Sequence, residues 1–212
     1  MSKKVNSSDS GQAKEEKAKV RGRVELYTLE IAEKAAAEAK ERKNNSDPKG
    51  EMLSAMTTVV FSQIAIEGFF HLLLEQELKV KGRECEYQIV AKTARLDERI
   101  ERGVCLISGR KIERGKQPFQ DFELLRRIRN TIVHYTPTWE TSEEDDPVAF
   151  LEKVRTTKRF PLDETRARWE EKLFTAECAQ WAYCTALEMI RHVHDLCGVP
   201  CPKPVMEKLD GS

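Results

Sequence analysis

Glu51-Met52-Leu53-Ser54-Ala55-Met56-Thr57-Thr58-Val59-Val60-Phe61-Ser62-Gln63-Ile64-Ala65-Ile66-Glu67-Gly68-Phe69-Phe70-His71-Leu72-Leu73-Leu74 decides the fold of this chain. The run continues to Lys79 without a proline. Met52, Met56, Val59, Val60, Ile64, Ile66, Phe69, Phe70, Leu73 and Leu74 leave its middle apolar nearly all round, which predicts a central, buried helix. Gln63 and Glu67 interrupt that zone four residues apart and so share one face.

The flanking segments carry the same period. From Val20 to about Lys43, Val24, Tyr27, Ile31, Ala35 and Ala39 recur at spacings of three and four, which predicts a first helix buried along that stripe. Asn44 to Gly50 is a loop by composition. A third helix is expected over 86–106, with Ile89, Val90, Leu96, Ile100 and Val104 as its apolar positions. Arg110 to Gln117 then forms an exposed basic loop. Pro118 opens a fourth helix, where its missing N–H costs nothing. Phe122, Leu125, Ile128 and Ile132 supply the buried stripe of that helix, and Pro137 closes it.

Residues 137–163, rich in Thr, Glu, Asp and Pro, read as an extended insertion with a short helix near Val148 to Val154. A last long helix runs from Asp163 or Glu164 to Gly198 through Trp169, Leu173, Phe174, Trp181, Leu187, Ile190 and Val193. The expected architecture is all-α, an up-and-down helical bundle of about five helices spanning 20–198. Residues 1–19, polar and lysine-rich, read as a disordered tail. Residues 199–212, with Pro200, Pro202 and Pro204, read as an irregular C-terminal tail.

Lys plus Arg and Asp plus Glu are equal at 36 each in the 212 residues. A neutral total excludes a broad DNA-coating protein, whose affinity comes mainly from phosphate neutralisation. The charge is nonetheless segregated. Lys81, Arg83, Arg95, Arg99, Arg102, Arg110, Lys111 and Arg114 lead into Arg126, Arg127 and Arg129, while Glu140, Glu143, Glu144, Asp145 and Asp146 follow. Such separation builds a local field around one site. Cys85, Cys105, Cys178, Cys184, Cys197 and Cys201 follow no secretory signal, so free thiols in a reducing cytoplasm are expected. The longest unbroken apolar run, around Phe69 to Leu74, is too short to span a bilayer.

Chemistry concentrates in Arg126-Arg127-Ile128-Arg129-Asn130-Thr131-Ile132-Val133-His134-Tyr135. On a helix Asn130 and His134 lie one turn apart on one face, and Arg127, seven residues before His134, joins it. Imidazole moves a proton near neutral pH. A guanidinium holds non-bridging phosphate oxygens and stabilises charge as it builds. RNA supplies its own nucleophile in the 2′-hydroxyl, so the set suits phosphodiester cleavage without metal or cofactor. His192, His194, Cys197 and Cys201 match no tight zinc spacing and read as ordinary helix-end residues.

The segment Arg129-Asn130-Thr131-Ile132-Val133-His134 resembles the hallmark of the HEPN superfamily, an Arg-Asn followed by His. The upstream Ala65-Ile66-Glu67 with its bulky apolar followers is similar to that family's second helix. The resemblance covers roughly residues 50–136. It implies a bundle that forms a homodimer through the motif-bearing helices, so that two motifs face one cleft. It further implies metal-independent cleavage of RNA in a defence, toxin–antitoxin or RNA-processing role, with an antitoxin or defence-system protein as a further partner. By position, Arg129 and His134 are then catalytic. Asn130, Arg127 and Tyr135 bind or orient substrate, and Glu67 holds the Arg129 side chain from the neighbouring helix. One toxin branch carries a modified Tyr two residues after its His; Thr136 stands there in this chain. Some members of the family instead bind nucleotide, RNA or protein without cleaving, and that reading stays open on sequence alone.

Overall fold

The computed structural model of the chain describes residues 9–133 and 147–210, with side chains from 24 to 133 and from 149 to 210. All regular structure among the described residues is helical: α1 (Asp9–Asn44), α2 (Pro48–Leu74) continued by a π-helical turn over Glu75–Lys79, α3 (Glu84–Ala91), α4 (Leu96–Ser108), α5 (Phe119–Val133), α6 (Pro147–Thr157), α7 (Trp169–Leu173), α8 (Ala176–Cys197) and α9 (Lys203–Asp210).

The quoted stretch is the axis of the bundle. α2 starts where Asp47 caps it, its Oδ1 accepting from the Gly50 N–H at 2.9 Å, with Pro48 in the first turn. α2 packs against α1, α5 and α8. Ala55, Val59, Ala65, Leu73 and Leu74 are at most 1% exposed. Gly103 on α4 lets that helix approach closely: a Cβ there would stand 2.6 Å from Phe70 Cζ and 2.7 Å from Leu74 Cδ2. Taken with its π turn, Pro48–Lys79 is long and apolar enough to cross a membrane, and 56% of its most apolar window is buried inside the bundle. The expectation from unbroken runs was too narrow, because an isolated Gln63 or Glu67 does not stop a window from being apolar. Burial among other helices is the pattern of a core helix.

α1 differs from the sequence reading twice. It begins at Asp9, inside the segment read as a disordered tail, since Gln12-Ala13-Lys14-Glu15-Glu16-Lys17-Ala18-Lys19 is made of good helix formers. Ala35 and Ala39 of the expected stripe are buried, together with Leu29, Ala32 and Ala36, whereas Val24, Tyr27 and Ile31 are exposed. Small alanines let α1 lie close on α2, and these three larger side chains turn away from the core.

Two expected helices are each broken in two. The third is interrupted at Thr93, whose carbonyl accepts from Arg99 Nε (3.1 Å) and whose hydroxyl meets Arg102 (3.4 Å). Ile89, expected inside, is exposed. The last long helix is interrupted at Phe174–Thr175. There the Thr175 hydroxyl caps α8 by accepting from the Cys178 N–H at 3.2 Å, and buried Glu51 accepts from the Ala176 N–H at 2.9 Å while pairing with Arg166 at 3.1 Å. α8 ends as expected at Gly198, in the left-handed conformation that glycine adopts freely. The tail read as irregular contains α9. Pro204 is accommodated in its first turn, and fully buried Val205 anchors it. α6 falls where the insertion was expected to hold a short helix.

Near the end of α8, buried His194 hydrogen-bonds the Pro200 carbonyl through Nδ1 at 3.1 Å. Burial pushes its pKa down, against that bond and the Asp195 charge; burial does the same at His192. A histidine with a folded pKa below its unfolded value of about 6.5 contributes stability above that pH and loses it as pH falls through the folded value. Denaturant midpoints should therefore decline between pH 7 and 5. His194→Gln should show a shallower decline; an unchanged pH dependence would show that His194 does not titrate in this range.

Candidate functional site

The motif helix α5 is placed by its buried stripe. Phe119, Phe122, Leu125 and Ile128 are at most 1% exposed, and Ile132 packs partly against the same core. That stripe seats α5 against α2 and α8 and fixes which residues face outward. Its first turns are tied down by ion pairs. Arg159, in the loop after α6, reaches Asp121 with Nε 2.6 Å from Oδ1, and Arg114 approaches Glu123 at 3.8 Å.

Arg114 belongs to a larger cluster. It also pairs with Glu101 at 2.6 Å and lies 3.6 Å from Asp97, a carboxylate with no exposed side-chain surface at the start of α4. Arg95 grips Asp97 at 2.8 Å. Burial alone would raise the Asp97 pKa, but the hydrogen bond from Arg95 and the charges of Arg126 and Arg95 together bring it below the usual carboxylate value. Arg126 on α5 is therefore close enough to Asp97 to be felt electrostatically, although the two make no direct ion pair.

The second half of α5 is different in kind. Arg126 and Arg129, one turn apart, are half-buried, and Arg127 between them is exposed. Among the described residues no carboxylate comes within ion-pairing distance of any of the three, and the Nε atoms of Arg126 and Arg129 are buried without a hydrogen-bond partner. The hydrogen bond of Arg129 goes to its neighbour, Nη1–H donating to Asn130 Oδ1 at 3.3 Å. By contrast, Arg42, Arg83, Arg95, Arg99, Arg114, Arg155, Arg159 and Arg166 all contact carboxylates, and Arg102, Arg110 and Arg191, which have no such contact among the described residues, are exposed rather than half-buried. The partial negative charge at the C-terminal end of α5 offsets only part of the positive charge.

Glu67 does not hold Arg129. It is exposed and pairs with Arg99 of α4 at 3.0 Å. Two residues of α2 are buried with an unpartnered side-chain oxygen, Ser62 at Oγ and Gln63 at Oε1. Gln63 lies two turns before Phe70 on the same face, the one that packs against Gly103 of α4. Arg129 and Asn130 are joined by the Nη1–Oδ1 hydrogen bond, a contact the sequence reading, which set Asn130 beside His134, does not include. Arg127 is exposed, and Arg126, four residues before Asn130, is half-buried. His134 and Tyr135 lie outside the described residues, as does the turn after Val133.

The described residues hold no group of three His, Cys, Asp or Glu side chains placed to bind a metal ion. The cysteines with described side chains are free thiols, and burial raises the pKa of Cys178, Cys197 and Cys201. Protonated thiols are poor nucleophiles. What the site can do is bind an anion: half-buried guanidiniums without a directly paired carboxylate are costly unless something negative meets them. The chain matches no protein-family model, no curated protein and no solved structure.

Proposed function

We propose that this chain is a metal-independent endoribonuclease of the HEPN type, cytoplasmic and homodimeric through its motif-bearing helices, with a defence, toxin–antitoxin or RNA-processing role. The observation that carries the reading is the set of three guanidiniums on α5 without carboxylate partners, beside the Arg129–Asn130 hydrogen bond. A phosphodiester supplies the missing charge, and planar guanidinium matches its paired oxygens.

In the proposed reaction the ribose 2′-oxygen attacks the adjacent phosphorus, and the bond from phosphorus to the 5′-oxygen breaks. The products are a 2′,3′-cyclic phosphate and a 5′-hydroxyl. His134 moves the proton between these oxygens, directly or as a pair with His134 of the second copy across the cleft. Arg129 stabilises the charge that builds on the phosphorane oxygens, and Asn130 holds Arg129 in place. Arg126 and Arg127 bind flanking phosphates, and Tyr135 orients the substrate. A regulatory antitoxin or defence-system protein completes the proposal.

Binding tests the anion site separately from cleavage. With a 2′-O-methyl RNA that cannot react, Arg126→Ala and Arg129→Ala should each weaken binding and flatten the slope of log K against log salt by about 0.7, the loss of one phosphate contact on a single strand. Arg42→Ala removes an arginine already held by Glu38 and Asp47 and should change neither. An equal effect at all three positions would reduce the α5 arginines to general surface charge.

A further inference from the structure

Arg114 lies in the segment joining α4 to α5, and acids of both helices converge on it. Its guanidinium pairs with Glu101 at 2.6 Å, stands 3.6 Å from Asp97 and 3.8 Å from Glu123, and rests 5.8 Å from the centre of the Phe119 ring. These acids depend on it unequally. Asp97 is also gripped by Arg95 at 2.8 Å, whereas among the described residues Glu123 meets no cation within ion-pairing distance other than Arg114.

On α5, Glu123 comes three residues before Arg126 and four before Arg127, the two spacings at which opposite charges pair along a helix. Glu123 is nevertheless engaged by Arg114, and neither Arg126 nor Arg127 contacts a described carboxylate. We infer that Arg114 is a positioning residue of the α5 site, holding Glu123 so that Arg126 and Arg127 stay free to meet an anion, a role that rests on the phosphate-binding reading of those arginines. Without the Arg114 charge, Glu123 has guanidiniums of its own helix within reach, and a phosphate must compete with that carboxylate for them. Water screens such a pair incompletely, because Glu123 and Arg126 are both half-buried. The charge of Arg126 is already felt across this cluster, at Asp97.

The segment has anchors besides Arg114. Ile112 is buried in the core, and Gln120 Nε2 donates to the Gly115 carbonyl at 2.7 Å. Arg114→Met, which keeps an apolar stem beside Phe119, should therefore retain the helical circular dichroism. Titrating uncleavable 2′-O-methyl RNA into the full chain at several salt concentrations tests the role. Arg114→Met should weaken binding about tenfold, the order of one hydrogen bond to a charged group, and flatten the slope of log K against log salt by about 0.7, one phosphate contact. Glu123→Gln alone should stay near wild type, and Arg114→Met with Glu123→Gln should recover both affinity and slope. An arginine that only supports the fold, or that touches RNA itself, gains no such rescue from the loss of the Glu123 charge. RNA binding that weakens in Arg126→Ala but not in Arg114→Met would overturn the inference alone, as would a loss in Arg114→Met that Glu123→Gln does not restore. Indifference to Arg126→Ala would overturn the reading of the site and this inference with it.

Discussion

His134→Ala is expected to lose RNA cleavage by about 10²- to 10⁴-fold, the contribution of a positioned proton-transfer group, while thermal stability and binding of uncleavable RNA stay close to wild type. The reason is chemical. Attack by the 2′-oxygen needs its proton taken, expulsion of the 5′-oxygen needs one returned, and an imidazole near neutral pH does both. Removing it leaves Arg126, Arg127 and Arg129, the proposed phosphate contacts, in place. Arg129→Ala should instead lower both binding and cleavage, because the same guanidinium meets the phosphate before and during reaction. The separation between these two variants, measured as single-turnover rate against affinity, is what distinguishes a catalytic histidine from one that only lies near bound RNA. Equal rates for wild type and His134→Ala would remove His134 from the chemistry.

Phe122→Ala is expected to have the largest effect on stability, about 3–5 kcal/mol. Phe122 has no exposed surface and meets Phe119 with ring centroids 5.5 Å apart at 60°, an edge-to-face pair. It belongs to the same stripe as Leu125 and Ile128, so its loss opens a cavity beneath the helix that presents the arginines. The cost is transfer of the ring plus the void that neighbouring side chains only partly fill. Chemical denaturation should show a lower midpoint with a similar slope, and RNA binding should weaken at temperatures where the variant is still folded. A loss below about 1 kcal/mol would mean that α5 is held mainly by its ion pairs, Asp121–Arg159 and Glu123–Arg114, and not by its apolar face.

Sequence and structure agree where burial is strong and local. The Glu51–Leu74 stretch becomes the central helix because its side chains are apolar on most faces, and Phe122, Leu125 and Ile128 seat α5 because they recur at helical spacing. Gly198 ends α8 through its own backbone freedom. The departures lie where tertiary partners decide. Neither Thr93 nor Thr175 is a helix breaker by type. The first break is held by side chains of the next helix, Arg99 and Arg102, and the second by Glu51 with Arg166, contacts that connect residues far apart in sequence. Along α1 the spacing marks Ala35 and Ala39 correctly but not Val24, Tyr27 and Ile31, because close packing on α2 selects the small residues of the helix along with Leu29. α9 is hidden by its prolines, although Pro204 falls in a first turn, where it is tolerated.

At the candidate site the Arg129-Asn130 pattern is legible in the sequence, whereas the hydrogen bond between the two side chains is not. Nor is the half-burial of Arg126, because the seven-residue spacing to His134 singles out Arg127. The role given to Glu67 failed for a positional reason. Its side chain leaves α2 toward solvent and Arg99, while Gln63 one turn earlier is the residue turned inward. That no described carboxylate pairs with the α5 arginines could not be read from a neutral composition, since it depends on where the fold places each acid.

Incubating the purified full chain with single-stranded RNA in excess EDTA, and identifying the new termini, tests the central claim most directly. The account predicts cleavage that EDTA does not diminish, with 2′,3′-cyclic phosphate and 5′-hydroxyl ends, and its loss in His134→Ala. Intact RNA under these conditions, from protein that still binds it, would contradict the proposed activity and leave a module that binds RNA without cutting it.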